Sequence, residues 1–200
     1  MPPEFARQIS MLTEEWIQFH SPPTRPPKVQ INQWEPPPQD WVMLNFDASF
    51  IGGLGTGGWG CIARDAAGDV LCAAAGPLVD VSDPLHAEAL ALMRTINFAE
   101  NFGMGRVIFM TDCLPLKQAI DDSNADRSQL GNLFRETKYQ LQIGFIQFKL
   151  VQKSRECNLP AHKLASFGYR MVRGSERIWL NDLPPDVLSA VAGDLTVSTG

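Results

Sequence analysis

The sequence predicts an α/β fold built on a five-stranded mixed sheet, in which three antiparallel strands come first, parallel strands are added, and helices flank the sheet. Three observations support this prediction. Apolar and polar side chains alternate along residues 41–50 with the two-residue period of a strand. Two more β-prone runs follow closely, each after a turn, as in an antiparallel meander. Beyond residue 82, amphipathic helical patterns alternate with short apolar runs typical of buried parallel strands.

The first three strands are predicted from this alternation and from turn residues. One face of residues 41–50 carries Val42, Leu44, Phe46 and Ala48, and the other carries Met43, Asn45, Asp47 and Ser49. A glycine-rich turn leads into the second strand, which includes residues 59–64. The turn at residues 65–69 then leads into the third strand, over residues 70–78.

Helices and parallel strands are predicted for the rest of the domain. Ser82 or Asp83 can cap a long helix that has Pro84 in its first turn and ends near Asn101. A short apolar strand follows this helix. The remaining elements are the strand at 106–112, helices at 114–122 and 128–142, a strand at 144–153 and a helix that follows Asn158-Leu159-Pro160.

The distribution of prolines divides the chain into three parts. Nine of the 15 prolines lie in residues 1–40, and they exclude a helix or a central strand over residues 21–40. We therefore predict a Pro-rich arm or linker over residues 1–40, a folded domain over residues 41–173 and a C-terminal tail over residues 174–200. A short helix capped by Thr13 fits the sequence MLTEEWIQF. A ligand for SH3 or WW domains is an alternative function of the arm.

The composition excludes several classes of protein. A net charge of −5 is inconsistent with a uniformly basic nucleic-acid binder. No apolar run approaches the roughly 18–20 residues of a membrane span, and the first ten residues contain no signal-peptide core. The four cysteines form no CxxC pair, which predicts buried thiols in a reducing compartment. We expect an intracellular monomer, nuclear or cytoplasmic, that does not bind a membrane.

Charge is unevenly distributed along the predicted domain. Residues 41–126 hold four basic and eleven acidic side chains, whereas residues 127–173 hold nine basic and two acidic ones. The net charges of the two segments are therefore −7 and +7. This division suits a carboxylate metal site beside a surface that meets phosphates. A chance fluctuation on solvated faces is the alternative.

Three acidic residues are the candidate metal ligands. Asp47 lies in mid-strand, Glu88 lies near the start of the long helix, and Asp112 closes the fourth strand at the edge where α/β sheets bind ligands. Each alone has an ordinary explanation, as a turn residue, a helix N-terminal acid or a cap. Together they would repel one another unless a divalent cation neutralised them, and their hard oxygen ligands suit Mg²⁺ or Mn²⁺.

Two short motifs do not support other functions. The glycines of residues 53–58 match a dinucleotide fingerprint as a string, but they join two strands instead of a strand and a helix. His86 and Glu88 match the HxE motif of zinc deaminases, but the PCxxC motif that supplies the other zinc ligands is missing.

Four segments, in order, resemble the ribonuclease H-like superfamily. They are Asn45-Phe46-Asp47, His86-Ala87-Glu88-Ala89-Leu90-Ala91-Leu92, Thr111-Asp112-Cys113, and the stretch from Arg155 to Ala165. The resemblance covers about residues 41–173. It is strongest to the plant branch of type-1 RNase H domains, which is related to the terminal segment of non-LTR retrotransposon polyproteins. It implies the order of strands and helices predicted above, apart from one extra helix.

This resemblance implies hydrolysis of the RNA strand of RNA–DNA hybrids, with two Mg²⁺ or Mn²⁺ ions roughly 3.5–4 Å apart. Asp47 would bridge the ions, and Glu88 and Asp112 would be further catalytic ligands. Contacts to nucleic acid are implied for six residues, namely Asn45, Ser49, Lys153, Arg155, Asn158 and Lys163. A catalytically weak or inactive module that still binds nucleic acid is the alternative.

One position departs from the pattern of the best-characterised members. The fourth acid, expected after Asn-x-x-Ala, is His162, and the mobile histidine expected just after the last strand is absent from residues 151–155. We include His162 among the candidate catalytic residues, although a neutral imidazole is a poor ligand for Mg²⁺. Three consequences are open: His162 transfers protons, the activity is weak, or the metal preference shifts toward Mn²⁺.

Overall fold

The structure, a computed structural model, describes residues 33–196 around a six-stranded sheet. The strands are β1 (Val42–Ile51), β2 (Thr56–Arg64), β3 (Val70–Leu78), β4 (Arg106–Thr111), β5 (Gln147–Gln152) and β6 (Arg177–Trp179). Their order across the sheet is β5-β4-β1-β2-β3-β6. β1, β2, β3 and β6 pair antiparallel, whereas β4 and β5 add in parallel on the other side of β1. The predicted mixed α/β class is confirmed.

Five α-helices within residues 33–196 flank this sheet. They are α1 (Pro84–Asn101), α2 (Leu114–Asp121), α3 (Gly131–Gly144), α4 (Leu159–Tyr169) and α5 (Pro185–Thr196), with 3-10 turns at Ser123–Arg127 and Arg155–Asn158. α1 begins as predicted: the Asp83 carboxylate accepts a hydrogen bond from the His86 backbone N–H, and Pro84 occupies the first turn. This cap fixes the start of the helix that carries Glu88.

The prediction of five strands is wrong by one. β6 pairs with the outer edge of β3, opposite Ala73–Ala75, and so adds a sixth strand to the sheet. It comprises only three residues, too few to show a two-residue alternation in the sequence. The described part of residues 174–200, predicted as a tail, thus contains this strand and α5.

The sheet buries apolar side chains on both faces. The β1 face predicted to be apolar, which carries Leu44 and Phe46, packs with residues of α1 and α3 in the main core. On the other face, Ile62 and Leu164 pack with residues of β6 and α5. The sheet is therefore packed on both faces, and this packing holds the functional side chains in place.

Close packing of α4 on β2 positions one side of the site. A Cβ atom added at Gly58 or Gly60 would collide with the backbone of α4, so only glycine allows this approach. Gly60 is paired directly with Asp47 across the β1–β2 ladder. The close packing consequently brings the first turn of α4 beside Asp47.

The segment that precedes β1 is only partly described. Residues 1–32, and with them the helix predicted over residues 11–19 and most of the Pro-rich arm, lie outside the described residues, as do residues 197–200. Residues 33–38 have no regular secondary structure, yet Trp34 and Pro37 are buried. No helix within residues 33–196 is long and apolar enough to cross a membrane.

Candidate active site

Three carboxylates converge where β1, β4 and α1 meet. Asp47 lies on β1, Asp112 directly follows the neighbouring parallel strand β4, and Glu88 lies on the first turns of α1. One carboxylate oxygen from each residue lies within 4.8 Å of the others. This spacing lets them share metal ions of the kind expected from the sequence, whereas carboxylates more than ~8 Å apart could not do so.

Burial and mutual repulsion raise the proton affinity of this cluster. Burial raises the pKa of Glu88 well above its ordinary value, and the nearby charges of Asp47 and Asp112 raise it further. The Oε2 atom of Glu88 is buried and has no hydrogen-bond partner. Burial also raises the pKa of Asp47, although a hydrogen bond from His162 opposes this effect. Without a cation, the negative charges of the three carboxylates are therefore not neutralised.

His162 lies directly against Asp47. Its Nδ1 atom is 2.7 Å from Oδ2 of Asp47, and its Nε2 atom is 2.8 Å from Nη2 of Arg155. The same Nη2 atom is 3.3 Å from Nδ1, so the guanidinium lies over the imidazole ring. A carboxylate oxygen accepts hydrogen bonds, so Nδ1 is the nitrogen that donates to Asp47. The imidazole thus lies between Arg155 and Asp47, with Nδ1 facing the carboxylate.

The predicted nucleic-acid contacts divide into exposed and buried residues. Lys153, Arg155 and Lys163 are exposed, and the Lys153 backbone N–H donates to Thr111, next to Asp112. Ser49 is half-buried, and its hydroxyl bonds the Ala165 carbonyl of α4 at 3.2 Å. The three basic side chains are therefore accessible to solvent, and the Lys153 backbone lies beside the residue that precedes Asp112.

Asn45 and Asn158, by contrast, are fully buried. The Nδ2 atom of Asn45 donates to Oδ1 of Asn158 at 3.0 Å, and Asn158 donates in turn to the Phe46 carbonyl at 2.8 Å. Neither side chain is accessible to a nucleic acid in this conformation. These hydrogen bonds connect the start of α4 to β1 beside Asp47. The alternation along the strand alone does not predict that Asn45 is buried.

Three further residues, not predicted from the sequence, complete this polar cluster. Arg64, also fully buried, donates to Oδ1 of Asn45 at 2.8 Å and to the Asp194 carboxylate at 2.7 Å, and its guanidinium stacks on Trp34. In the sequence, an arginine at the end of an apolar strand indicates that another residue compensates its charge. Nothing in the sequence identifies that partner as Asp194, which lies 130 residues away.

The basic segment 127–173 is not uniformly available for phosphates. Lys138 forms an ion pair with Asp126, and Arg135 donates to the Asp126 carbonyl, so both are engaged locally. In contrast, the basic side chains from residue 153 onward are exposed: Lys153, Arg155, Lys163, Arg170 and Arg173. Arg127 and Lys149 are exposed as well, so the accessible basic surface is not confined to the later part of the segment.

Residues 45–168, more than half of the chain, match the model of the reverse transcriptase-like family. The chain belongs to this family. The matched region begins at the strand that carries Asp47 and ends within α4, so it contains all three carboxylates and His162. Trp34 and Asp194 lie outside it. No curated protein sequence matches the chain.

Solved structures share the fold of this reverse transcriptase-like domain. The compost-derived LC11-RNase H1 is 19% identical with a TM-score of 0.60 and covers 66% of this chain and 96% of its own. RNase H1 from the archaeon Halobacterium salinarum is 18% identical with a TM-score of 0.54, covering 64% and 96%. The prototype foamy virus protease-reverse transcriptase is 17% identical with a TM-score of 0.53, covering 76% and 22%. These likenesses show that the fold is RNase H-like, as predicted.

Proposed function

We propose that this chain is a divalent-metal-dependent nuclease of the RNase H type, which hydrolyses the RNA strand of RNA–DNA hybrids. One observation carries the proposal: the carboxylates of Asp47, Glu88 and Asp112 lie within 4.8 Å of one another, and an oxygen of Glu88 is buried without a partner. Such a cluster is unfavourable unless cations neutralise it. A solved structure of LC11-RNase H1 in complex with an RNA/DNA hybrid, which shares the fold at a TM-score of 0.56, supports the choice of substrate.

The donor set suits Mg²⁺ or Mn²⁺. All three residues offer carboxylate oxygens, which are the ligands these hard cations prefer. We propose that Asp47, Glu88 and Asp112 would hold these ions, with Asp47 as the ligand that two ions would share. When bound, such ions favour deprotonation of water and stabilise negative charge on phosphate oxygens.

The side chains around the carboxylates would orient the substrate. Exposed Lys153 and Lys163 would attract the phosphate backbone without reading its sequence, because a point charge contacts phosphates and no base edges. His162 keeps one oxygen of Asp47 occupied by its Nδ1 proton. We propose that the imidazole accepts a proton at the site and later gives one back to an oxygen there, so that it cycles between its neutral and singly protonated forms, with Arg155 holding the ring in place.

The hydrogen bond between His162 and Asp47 also favours a second candidate function. An imidazole that occupies Oδ2 of Asp47, where better-characterised relatives have another acid, competes with metal for that oxygen and contributes no negative charge. The second candidate is therefore a module that binds nucleic acid and cleaves it weakly or not at all. The plant and retrotransposon-related origin indicated by the sequence is part of this proposal.

Cleavage of a labelled RNA–DNA hybrid in Mg²⁺ or Mn²⁺ tests the proposal. We expect cleavage of the RNA strand by the unaltered protein and its loss in Asp47→Asn. Asp69→Asn is the matched control because Asp69 is exposed in the turn between β2 and β3, at the opposite end of the sheet. Hybrid binding without cleavage in either metal would support the second candidate, and equal rates in both variants would exclude Asp47 as a ligand.

A further inference from the structure

A buried ionic cluster lies next to the catalytic strand but outside the carboxylate site. Arg64 of β2 is fully buried and places one guanidinium nitrogen 2.7 Å from Asp194 and the other 2.8 Å from Asn45. Its guanidinium carbon is 3.5 Å from the centre of the Trp34 ring. Asp194 belongs to α5, and Trp34 belongs to the segment before β1. The cluster thus connects both flanks of the family-matched region, residues 45–168, to the strands within it.

The cluster determines the orientation of the Asn45 amide. Arg64 and the indole N–H of Trp34 both donate to Oδ1 of Asn45, at 2.8 and 3.2 Å. Because neither donor can accept a hydrogen bond, the oxygen of Asn45 must face them and its amide nitrogen must face the opposite way. That nitrogen then donates to Oδ1 of Asn158 and to the carbonyl of Cys157, each at 3.0 Å.

The orientation of the Asn45 amide is linked to the carboxylate site through α4. Asn158 immediately precedes α4 and donates from Nδ2 to the carbonyl of Phe46, the residue before Asp47. His162 lies one helical turn after Asn158 and donates to Asp47. A continuous series of hydrogen bonds therefore runs from Asp194 through Arg64, Asn45 and Asn158 to the helix that presents His162.

We propose that Arg64, Asp194 and Trp34 are positioning residues, which hold the first turn of α4 so that His162 donates from Nδ1 to Asp47. This inference deepens the proposed function, since it concerns the same site, but its first test does not depend on activity. Loss of the cluster would free the Asn45 amide to rotate, loosen Asn158 and weaken the hydrogen bond that holds Nδ1 of His162 as a donor to Asp47.

The test variant replaces the ion pair by apolar residues of similar size, Arg64→Met with Asp194→Leu. Such replacements of buried ion pairs generally preserve folding, whereas removal of Asp194 alone would leave a buried charge and endanger it. Asp186→Asn is the control, because Asp186 is an exposed acid of the same helix and asparagine can also cap the adjacent backbone N–H.

The first readout is the tautomer of His162, measured by long-range ¹H–¹⁵N NMR of the imidazole. The chain has three histidines, so the loss of one signal in His162→Gln assigns the resonance. We expect the Nδ1–H pattern in the unaltered protein and in Asp186→Asn, and a mixture of tautomers in the double variant. A folded double variant that retains the Nδ1–H pattern would overturn the proposal.

The second readout is Mn²⁺ affinity by calorimetry. Groups that orient metal-binding residues from outside typically change metal affinity or activity 10- to 100-fold, and we expect about a tenfold change in the double variant and none in Asp186→Asn. If the unaltered protein binds no Mn²⁺, the proposed function fails while the tautomer measurement still decides this inference. If the double variant changes the tautomer but not the Mn²⁺ affinity, the cluster positions His162, and the idea that it also positions the metal ligands is overturned.

Discussion

Substitutions of single residues at the site are expected to change metal-free stability in opposite directions. Glu88 is the first example. Its pKa is raised by burial and then by Asp47 and Asp112, so the folded protein holds this proton more tightly than the unfolded chain does. The associated stabilisation is complete below the ordinary pKa of 4.5 and is lost as pH rises through the elevated pKa. The metal-free protein therefore loses stability as pH rises above 4.5, and it has lost more at pH 8 than at pH 5.

Replacement of this residue, Glu88→Gln, removes the titratable carboxyl group. We expect the variant to exceed the unaltered protein in free energy of unfolding by about 1–3 kcal/mol at pH 8, the usual cost of an unsatisfied buried group, and by much less at pH 5. Urea denaturation in EDTA at both pH values measures this difference. Glu136→Gln, on the exposed side of α3, should show no such pH dependence. A lower stability of Glu88→Gln at pH 8 would contradict the argument.

His162 supports a prediction in the opposite direction. The substitution His162→Asp replaces the imidazole beside Asp47 with a fourth carboxylate. We expect about tenfold tighter Mg²⁺ binding, because the site gains a hard oxygen ligand and a negative charge, and lower stability without metal, because like charges repel. Calorimetric titration with Mg²⁺ measures the change. His162→Asn, which adds no charge, is the control, and equal affinity in the two variants would show that the missing acid does not limit metal binding.

At the scale of elements, the close approach of α4 to β2 links packing to the site. A methyl group at Gly60 would collide with the backbone of α4 at Leu164 and Ala165, whereas one at Gly53 would meet no atom within 4 Å. We expect Gly60→Ala to reduce stability by about 1–3 kcal/mol through overpacking and to displace His162 from Asp47. Urea denaturation of Gly60→Ala and Gly53→Ala makes the comparison. Equal stability of the two would show that α4 does not depend on this approach.

Most elements of the matched region could be predicted because their signals are local. The alternation of β1, the cap at Asp83 and the apolar run of β4 each appear within a few consecutive residues. β6 could not be predicted, since three residues carry no periodicity and its pairing depends on the distant edge of β3. The buried role of Asn45 could not be predicted for the same reason: it depends on Arg64 and Asn158, which only the tertiary fold brings together.

At the scale of the whole molecule, the uneven charge of the sequence predicts salt-dependent binding. Lys153 and Lys163 are exposed, whereas Lys138 is paired with Asp126. We expect Lys153→Gln with Lys163→Gln to weaken hybrid binding and to reduce the slope of log affinity against log salt by about one for each phosphate that is no longer neutralised. Fluorescence anisotropy over a series of salt concentrations measures this slope. Lys138→Gln is the control, and a slope change as large as that of the double variant would contradict the assignment of the surface.

The partnership of Arg64 with Asp194 has a consequence for how the protein is made. The two residues are separated by 130 positions, so a ribosome adding about 5–20 residues per second completes Arg64 about 6–26 s before it reaches Asp194. During that interval the guanidinium has no carboxylate to neutralise it, and it must remain hydrated. The nascent chain can assemble β1 to β4 early, but the face of the sheet that covers Arg64 closes only after α5 has been synthesised.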